Sequence, residues 1–240
     1  NNIITALPEL PESLSLLWCS DNQISVIPSL PEGLINLGCE NNLLTSLPSL
    51  PSGLSVFYCD HNQLTSLPIL PDALFYFSCN FNQLTSLPQL PDGLISFFCS
   101  HNQLTTLPEL PNSLTEFWCF NNQITFLPQL PQALLSLRCY YNDLISLPEL
   151  PQSLTDLRCN NNYITSLPTI PFGMTYLNCN DNQLTRLPEL PVSLNSLVFN
   201  GNSIECVSNY LQQFPNLGDF PLCDLGCTDS AAENYNEGAT

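Results

Sequence analysis

The stretch LWCSDNQIS (Leu17–Ser25) decides how this chain is read. Its cysteine recurs every 20 residues without a break, as Cys19, Cys39, Cys59, Cys79, Cys99, Cys119, Cys139, Cys159 and Cys179, and Phe199 stands in the tenth slot. Its asparagine recurs in the same phase, from Asn2 through Asn22, Asn42 and Asn62 to Asn202. A fixed period of this length marks a repeat architecture, in which each unit does the same structural work.

Aligned on the cysteines, the unit is close to P-x-x-L-x-x-L-x-C-x-x-N-x-L-T-x-L-P-x-L. The segment after the second proline, such as LSVFYC (Leu54–Cys59), is rich in aromatic and branched residues and predicts a short strand. The stretch LPSLPSGL (Leu47–Leu54) cannot be helix, because proline lacks the amide donor and biases its predecessor toward extended backbone. Polyproline-like turns are expected there. One such unit cannot bury its apolar face alone, so the units must stack. Ten strands at about 4.8 Å spacing would form a parallel sheet roughly 45 Å across.

The unit resembles the leucine-rich repeat signature, L-x-x-L-x-L-x-x-N-x-L, with cysteine in a leucine slot, over residues 1–202. Its short period and doubled LPxLP are similar to the 20-residue bacterial class found in secreted effectors. The resemblance implies a leucine-rich repeat solenoid, a horseshoe with a parallel β-sheet on its concave face, polyproline and turn structure on its convex face, and little helix. In that geometry the leucine-like positions, the cysteine and the asparagine point inward. A buried cysteine packs as a small hydrophobe, and the asparagine can satisfy backbone groups of the turn. A disulfide ladder is the rival reading. Parallel neighbours, however, project their side chains side by side, and nine is an odd number, so buried free thiols with a structural role are expected.

Past residue 202 the period breaks. Residues 203–225 read as a C-terminal cap, with a short helical pattern around Cys206–Phe214. The last coil of a solenoid needs such cover for its apolar core and strand edge. Caps of secreted relatives are often stapled, which implies a Cys206–Cys223 disulfide and an oxidising compartment. Residues 226–240, GCTDSAAENYNEGAT, resemble the opening of the C-T-D-x-x-A-x-N-Y-N-x-x-A-T modules of secreted surface proteins of Bacteroidetes, as the start of a tail module or linker. Those modules close on a second cysteine, so the pairing of Cys227 stays open. The chain opens in the back half of a repeat, NNIITALP, and is expected to be part of a larger polypeptide or surface assembly. Secretion or display at the cell surface is the expected localisation.

Charge narrows the function. The net charge is −18, with three Lys and Arg residues in total, all arginine (Arg138, Arg158, Arg186). Nucleic-acid binding is therefore excluded as an expectation, since it rests on cationic neutralisation of phosphate. Prolines interrupt every apolar run well short of a membrane span, so no membrane insertion is expected.

Residues between the inward positions face the concave side and can be read as columns. One column holds Trp18, Tyr58, Phe98, Trp118, Arg138 and Arg158; the next holds Glu40, Asp60, Phe120 and Tyr140; a third holds His61, Phe81, His101 and Tyr141. Trp118, Phe120, Arg138, Tyr140, Tyr141 and Arg158 fall on three adjacent strands, with Tyr58 and Phe98 nearby, and form the candidate ligand-binding patch. Tryptophan, tyrosine and arginine are enriched at binding hot spots, and exposed aromatics also stack on sugars, so protein and glycan partners both fit. The plainer alternative is that Arg138 and Arg158 neutralise Glu116 and Asp156.

Enzyme signals are weak. Glu40 and Asp60 on neighbouring strands match a glycosidase-like carboxylate pair only in spacing. His61 and His101 stand two strands apart, too far to share one metal ion. The Cys-x-Asp at Cys227–Asp229 formally matches that of bacterial ubiquitin ligases with similar repeats, but those need a large helical domain after the repeats. No phosphate loop, zinc-spaced cluster or nucleophile elbow is present. The expectation is a non-enzymatic binding or recognition module without catalytic residue, metal or cofactor. A structural spacer or filament component, a host-directed effector scaffold, and calcium binding by the acidic tail are the rivals.

Overall fold

The computed structural model describes residues 3–204. The pattern around Cys206–Phe214, the Cys206–Cys223 pairing and the 226–240 tail lie outside the described residues. Within them the chain forms ten three-residue strands, β1 (Leu16–Trp18), β2 (Asn36–Gly38), β3 (Val56–Tyr58), β4 (Tyr76–Ser78), β5 (Ser96–Phe98), β6 (Glu116–Trp118), β7 (Ser136–Arg138), β8 (Asp156–Arg158), β9 (Tyr176–Asn178) and β10 (Ser196–Val198). They make one parallel sheet in strictly sequential order. Each residue pairs with the residue in the same slot of the next coil, as Leu17 with Leu37 and Trp118 with Arg138. The solenoid and its parallel concave sheet follow, and no helix occurs among the described residues.

Two turns per coil return the chain to the sheet. Before each strand the PxxL segment closes a tight turn, with the Leu14 amide donating to the Pro11 carbonyl at 3.0 Å and the same bond repeated from coil to coil. After each strand the residue two past the cysteine slot adopts a left-handed backbone, from φ 51° at His61 to 58° at Asp21, and Gly201 at 68°. Asn, Asp and Gly suit that conformation. Phe81 (φ 53°) and Tyr141 (φ 52°) do not, and they occupy it because the coil imposes it. A β-carbon there costs on the order of 1–2 kcal/mol.

The interior is a set of columns. Leu34, Leu37, Leu44, Leu54, Leu64 and their equivalents in the inner coils are fully buried, while Leu14, Leu17 and Leu197 toward the ends are partly buried. Phe57, Phe77, Phe97 and Phe117 replace leucine in the middle strand slot of four successive strands and stack face to face, with centroids 5.4, 5.5 and 5.6 Å apart. Burying each such ring contributes roughly 1.5–3 kcal/mol. All nine cysteines from Cys19 to Cys179 are buried free thiols, and Phe199 fills the tenth slot with 5% exposure. Several thiols donate weakly to the next coil, as Cys39 to the Tyr58 carbonyl at 3.4 Å.

Beside the thiols runs a ladder of asparagine side chains that ties coil to coil. Asn102 shows the pattern. Its Nδ2 donates to the Cys79 carbonyl of the preceding coil at 3.0 Å and to the Cys99 and Ser100 carbonyls of its own turn. Its Oδ1 accepts from the Leu84 amide of the preceding coil at 3.0 Å. Replacing Asn102 by alanine leaves buried backbone groups unpaired on two coils, each costing about 1–3 kcal/mol. Asn102→Ala should therefore lower the unfolding free energy by about 2–4 kcal/mol in urea titration. Gln103→Ala, at an exposed site, should stay within about 0.5 kcal/mol of the parent. Equal losses at the two positions would contradict the role given to the ladder.

Candidate functional site on the concave face

Strand alternation sends every second side chain away from the core. On this sheet those side chains form a connected aromatic and cationic ribbon. It begins at Trp18, whose ring lies 5.8 Å from Tyr58 two strands away. Gly38 on the strand between makes that reach possible, because a β-carbon there would stand 2.1 Å from the indole. The ribbon continues from Tyr58 to Tyr76 at 4.7 Å, Phe98 at 5.4 Å and Trp118 at 4.5 Å. The Arg138 guanidinium then sits over the Trp118 ring at 4.0 Å. Asp156 lies 3.9 Å from Arg138 and accepts two hydrogen bonds from Arg158, at 3.2 and 3.3 Å. Arg158 in turn covers the Tyr176 ring at 4.5 Å.

A second row runs beside the first. Phe81 is sandwiched between His61 and His101, with centroids at 4.1 and 3.8 Å and nearly parallel rings. Stacking of this kind offsets part of the cost of its left-handed backbone. His101 meets the edge of Phe120, and Phe120 stacks on Tyr140 at 4.3 Å with an interplanar angle of 10°. Tyr140 then touches Tyr141 edge-on at 5.8 Å.

The structure thus places Trp118, Phe120, Arg138, Tyr140, Tyr141 and Arg158 on one stretch of the concave face. Tyr141 is exposed at 52%, whereas Trp118, Phe120, Arg138, Tyr140, Arg158 and Tyr58 are half-buried against their neighbours. Phe98 differs: it is 5% exposed, closed in by Tyr76 and Trp118, and offers little surface to a ligand. Tyr76 and Tyr176 join the ribbon from two positions earlier in their strands, a slot absent from the sequence-based columns although the same alternation places it on this face. Gly38 looks like a gap in its column yet completes the contact across it.

Electrostatics sort the remaining candidates. The neutralisation reading holds for Asp156, which both arginines approach; Glu116 instead lies 3.4 Å from the Ser96 hydroxyl. Asp60 is tied down, its Oδ1 accepting from the Ser78 hydroxyl and from the Asn80 backbone and side-chain amides. The Glu40 carboxylate accepts from Ser20. These carboxylates serve a polar ladder rather than an open acid-base pair. Burial, helped by the charge of Glu40, pushes the Cys19 thiol up to about 11, and burial pushes Cys179 up to about 12. Protonated thiols are neither nucleophiles nor metal ligands near neutral pH. Among the described residues no group of three or more His, Cys, Asp or Glu side chains is arranged to hold a metal ion.

Burial raises the Tyr140 hydroxyl, while the charges of Arg138 and Arg158 pull it back. Burial raises Tyr76 likewise, reinforced by a hydrogen bond to Tyr58. His101 is lowered, first by burial and then by the charge of His61. Its neutral form is thus favoured in the fold, so stability is complete above the ordinary histidine value near ~6.5 and declines as pH falls through it.

Sheet, asparagine ladder and outward-facing columns together define a leucine-rich repeat scaffold. Against solved structures the chain is similar to YopM from Yersinia enterocolitica WA-314, with 33% identity and a TM-score of 0.71, over 86% of this chain and 55% of that one. It is similar to YopM of Yersinia pestis, a leucine-rich effector protein, with 34% identity and a TM-score of 0.67, over 86% of this chain and 71% of that one. The chain belongs to the bacterial leucine-rich repeat proteins. It shares the fold with the functional domain of InlJ from Listeria monocytogenes, which includes a cysteine ladder, at 21% identity and a TM-score of 0.57, over 82% of this chain and 63% of that one. No protein-family model and no curated protein matches the chain.

The histidine sandwich gives a direct test. Melting temperature should fall between about pH 7.5 and 5.5 in the parent chain, and less steeply in His101→Gln. Equal slopes in the two proteins would show that His101 titrates alike in the folded and unfolded chains.

Proposed function

We propose that this protein is a secreted or cell-surface binding module that engages a protein or glycan partner through its concave face, as part of a larger polypeptide or surface assembly. The observation that carries the reading is the run of contacts Trp118, Arg138, Asp156, Arg158 and Tyr176, flanked by Phe120, Tyr140 and Tyr141. The core imposes no demand for these side chains. Solenoids of this kind present extended concave surfaces for binding, and the residue types are those of hot spots. Buried, protonated thiols are compatible with an oxidising compartment, because only the thiolate is readily oxidised. Nothing in the site calls for catalysis or a cofactor.

A second reading, a host-directed effector scaffold, draws on the likeness to the Yersinia pestis protein, which is an effector. It shares the concave binding face and differs in the compartment where the partner is met. A structural spacer without a concave ligand would leave the ribbon dispensable.

Affinity capture separates these readings. The intact chain and the triple variant Trp118→Ser, Arg138→Glu, Tyr140→Ser should be presented to native extracellular protein and glycan preparations and to host cytosolic extract. Exposed and half-exposed changes of this kind leave the fold standing, which circular dichroism checks. The proposal expects a partner from the extracellular material, held by the intact chain and lost by the variant. Capture from host cytosol alone favours the effector reading. Capture unaffected by the variant, or absent, favours the spacer.

A further inference from the structure

We propose that the concave face takes a polypeptide segment carrying an isolated carboxylate side chain, which seats at the guanidinium of Arg138 beside Trp118 and Tyr140. This rests on the concave-face reading and names the partner's chemistry. The asymmetry between the two arginines is the starting point. Arg158 engages Asp156 through two hydrogen bonds at 3.2 and 3.3 Å, so the carboxylate is largely committed to it. Arg138 comes no closer to Asp156 than 3.9 Å, beyond hydrogen-bond range. Its Nε is covered and has no acceptor, and its side chain keeps 27% exposure. The reachable donors are therefore at the open end of the guanidinium, held in place by stacking on Trp118.

The Trp118 indole nitrogen, like Arg138 Nε, is covered and unpaired, so the ring serves as a platform for the guanidinium and not as a donor to a ligand; the Tyr140 hydroxyl feels the charge of both arginines. The open end of the guanidinium, on the same strand side as the Tyr140 hydroxyl, is the donor group left for a ligand, and an oxyanion is the group that matches it. Glu116 and Asp156 balance the formal charge of the two arginines on these strands, and the chain as a whole carries −18. That field repels a densely charged polyanion strongly and a single carboxylate far less, so a short-range contact can outweigh it only for the latter.

Ring geometry separates a peptide from a saccharide. A sugar stacks on an open aromatic face. Here Trp118 has Phe98 and Arg138 packed against it, Phe120 and Tyr140 are stacked on each other, and Phe81 is enclosed by two histidines. Among these rings, edges and hydroxyls are what remain. Immediately before the strands, Phe75, Ile95 and Leu135 are each exposed at 44–47%, forming an apolar margin along the same end of the sheet. An acidic residue with apolar neighbours in an extended chain satisfies both the anchor and the margin.

The test is selection from a random dodecapeptide library displayed on phage, against the full chain, in parallel with a glycan array that includes sulfated and uronic saccharides. Peptides enriched on the chain should carry one Asp or Glu among apolar residues. Measured by fluorescence anisotropy as synthetic peptides, they should lose at least about tenfold in affinity on Arg138→Gln, and equally on changing their acid to the amide. Making both changes should add little to either. Arg138→Lys should recover only part of the loss, since it lacks the planar fork, and Gln123→Ala should change nothing. Matching melting temperatures exclude unfolding as the cause. Enriched peptides without an acid that still depend on Tyr140 would overturn the anchor while leaving the concave-face reading intact. Binding confined to the glycan array, or no enrichment at all, would overturn the peptide proposal, and the capture experiment would then judge the broader reading separately.

Discussion

The described solenoid depends on a carboxamide placed where two coils meet. The asparagine at the end of each strand donates to carbonyls on its own turn and on the coil before it, and its oxygen accepts an amide from that earlier coil. Backbone groups in a buried, non-repetitive turn would otherwise go unpaired, at a cost no marginally stable fold sustains many times over. Repetition turns one local solution into a one-dimensional lattice. The thiol column lies beside it, each cysteine packing as a small apolar group, and the phenylalanine stack and leucines fill the remainder.

Confining the structural work to the inward positions and the turn frees the outward ones. That freedom is visible in the diversity of the concave columns, where glycine, tryptophan, serine and arginine share one slot. It also explains how Phe81 and Tyr141 persist in a left-handed backbone: the coil sets the dihedral, and ring contacts offset part of the cost. The ribbon is therefore surplus to folding. Its chemistry is uneven along the solenoid, with two of the chain's three Lys and Arg residues together on β7 and β8. Such unevenness is what a surface shaped by a partner would have, and a uniform spacer would not need it.

The fold was legible in the sequence because a period of 20 residues constrains the answer more than any propensity does. Strand positions, parallel order and the inward cysteine and asparagine all follow from stacking identical units. The concave face was legible in part. Columns predicted which strands the aromatic and arginine residues share, since that requires only the register. They did not show that Phe98 is covered, that Gly38 carries an indole across it, or that Phe81 is clasped by two histidines, because rotamers and neighbour contacts decide those. Tyr76 and Tyr176 were within reach of the alternation rule. They lie two residues ahead of the slots that were read, on the same face.

Hydrogen exchange at the amides bonded to the asparagine oxygens tests the central claim most directly. The amides of Ile24, Leu44, Leu64, Leu84 and their equivalents belong to no strand, yet each donates to an asparagine side chain of the following coil. If the ladder holds the coils together, these amides should exchange as slowly as those of the strands and should lose protection together with them. Fast exchange at these positions beside protected strands would show that the strands alone hold the solenoid, and would contradict the account.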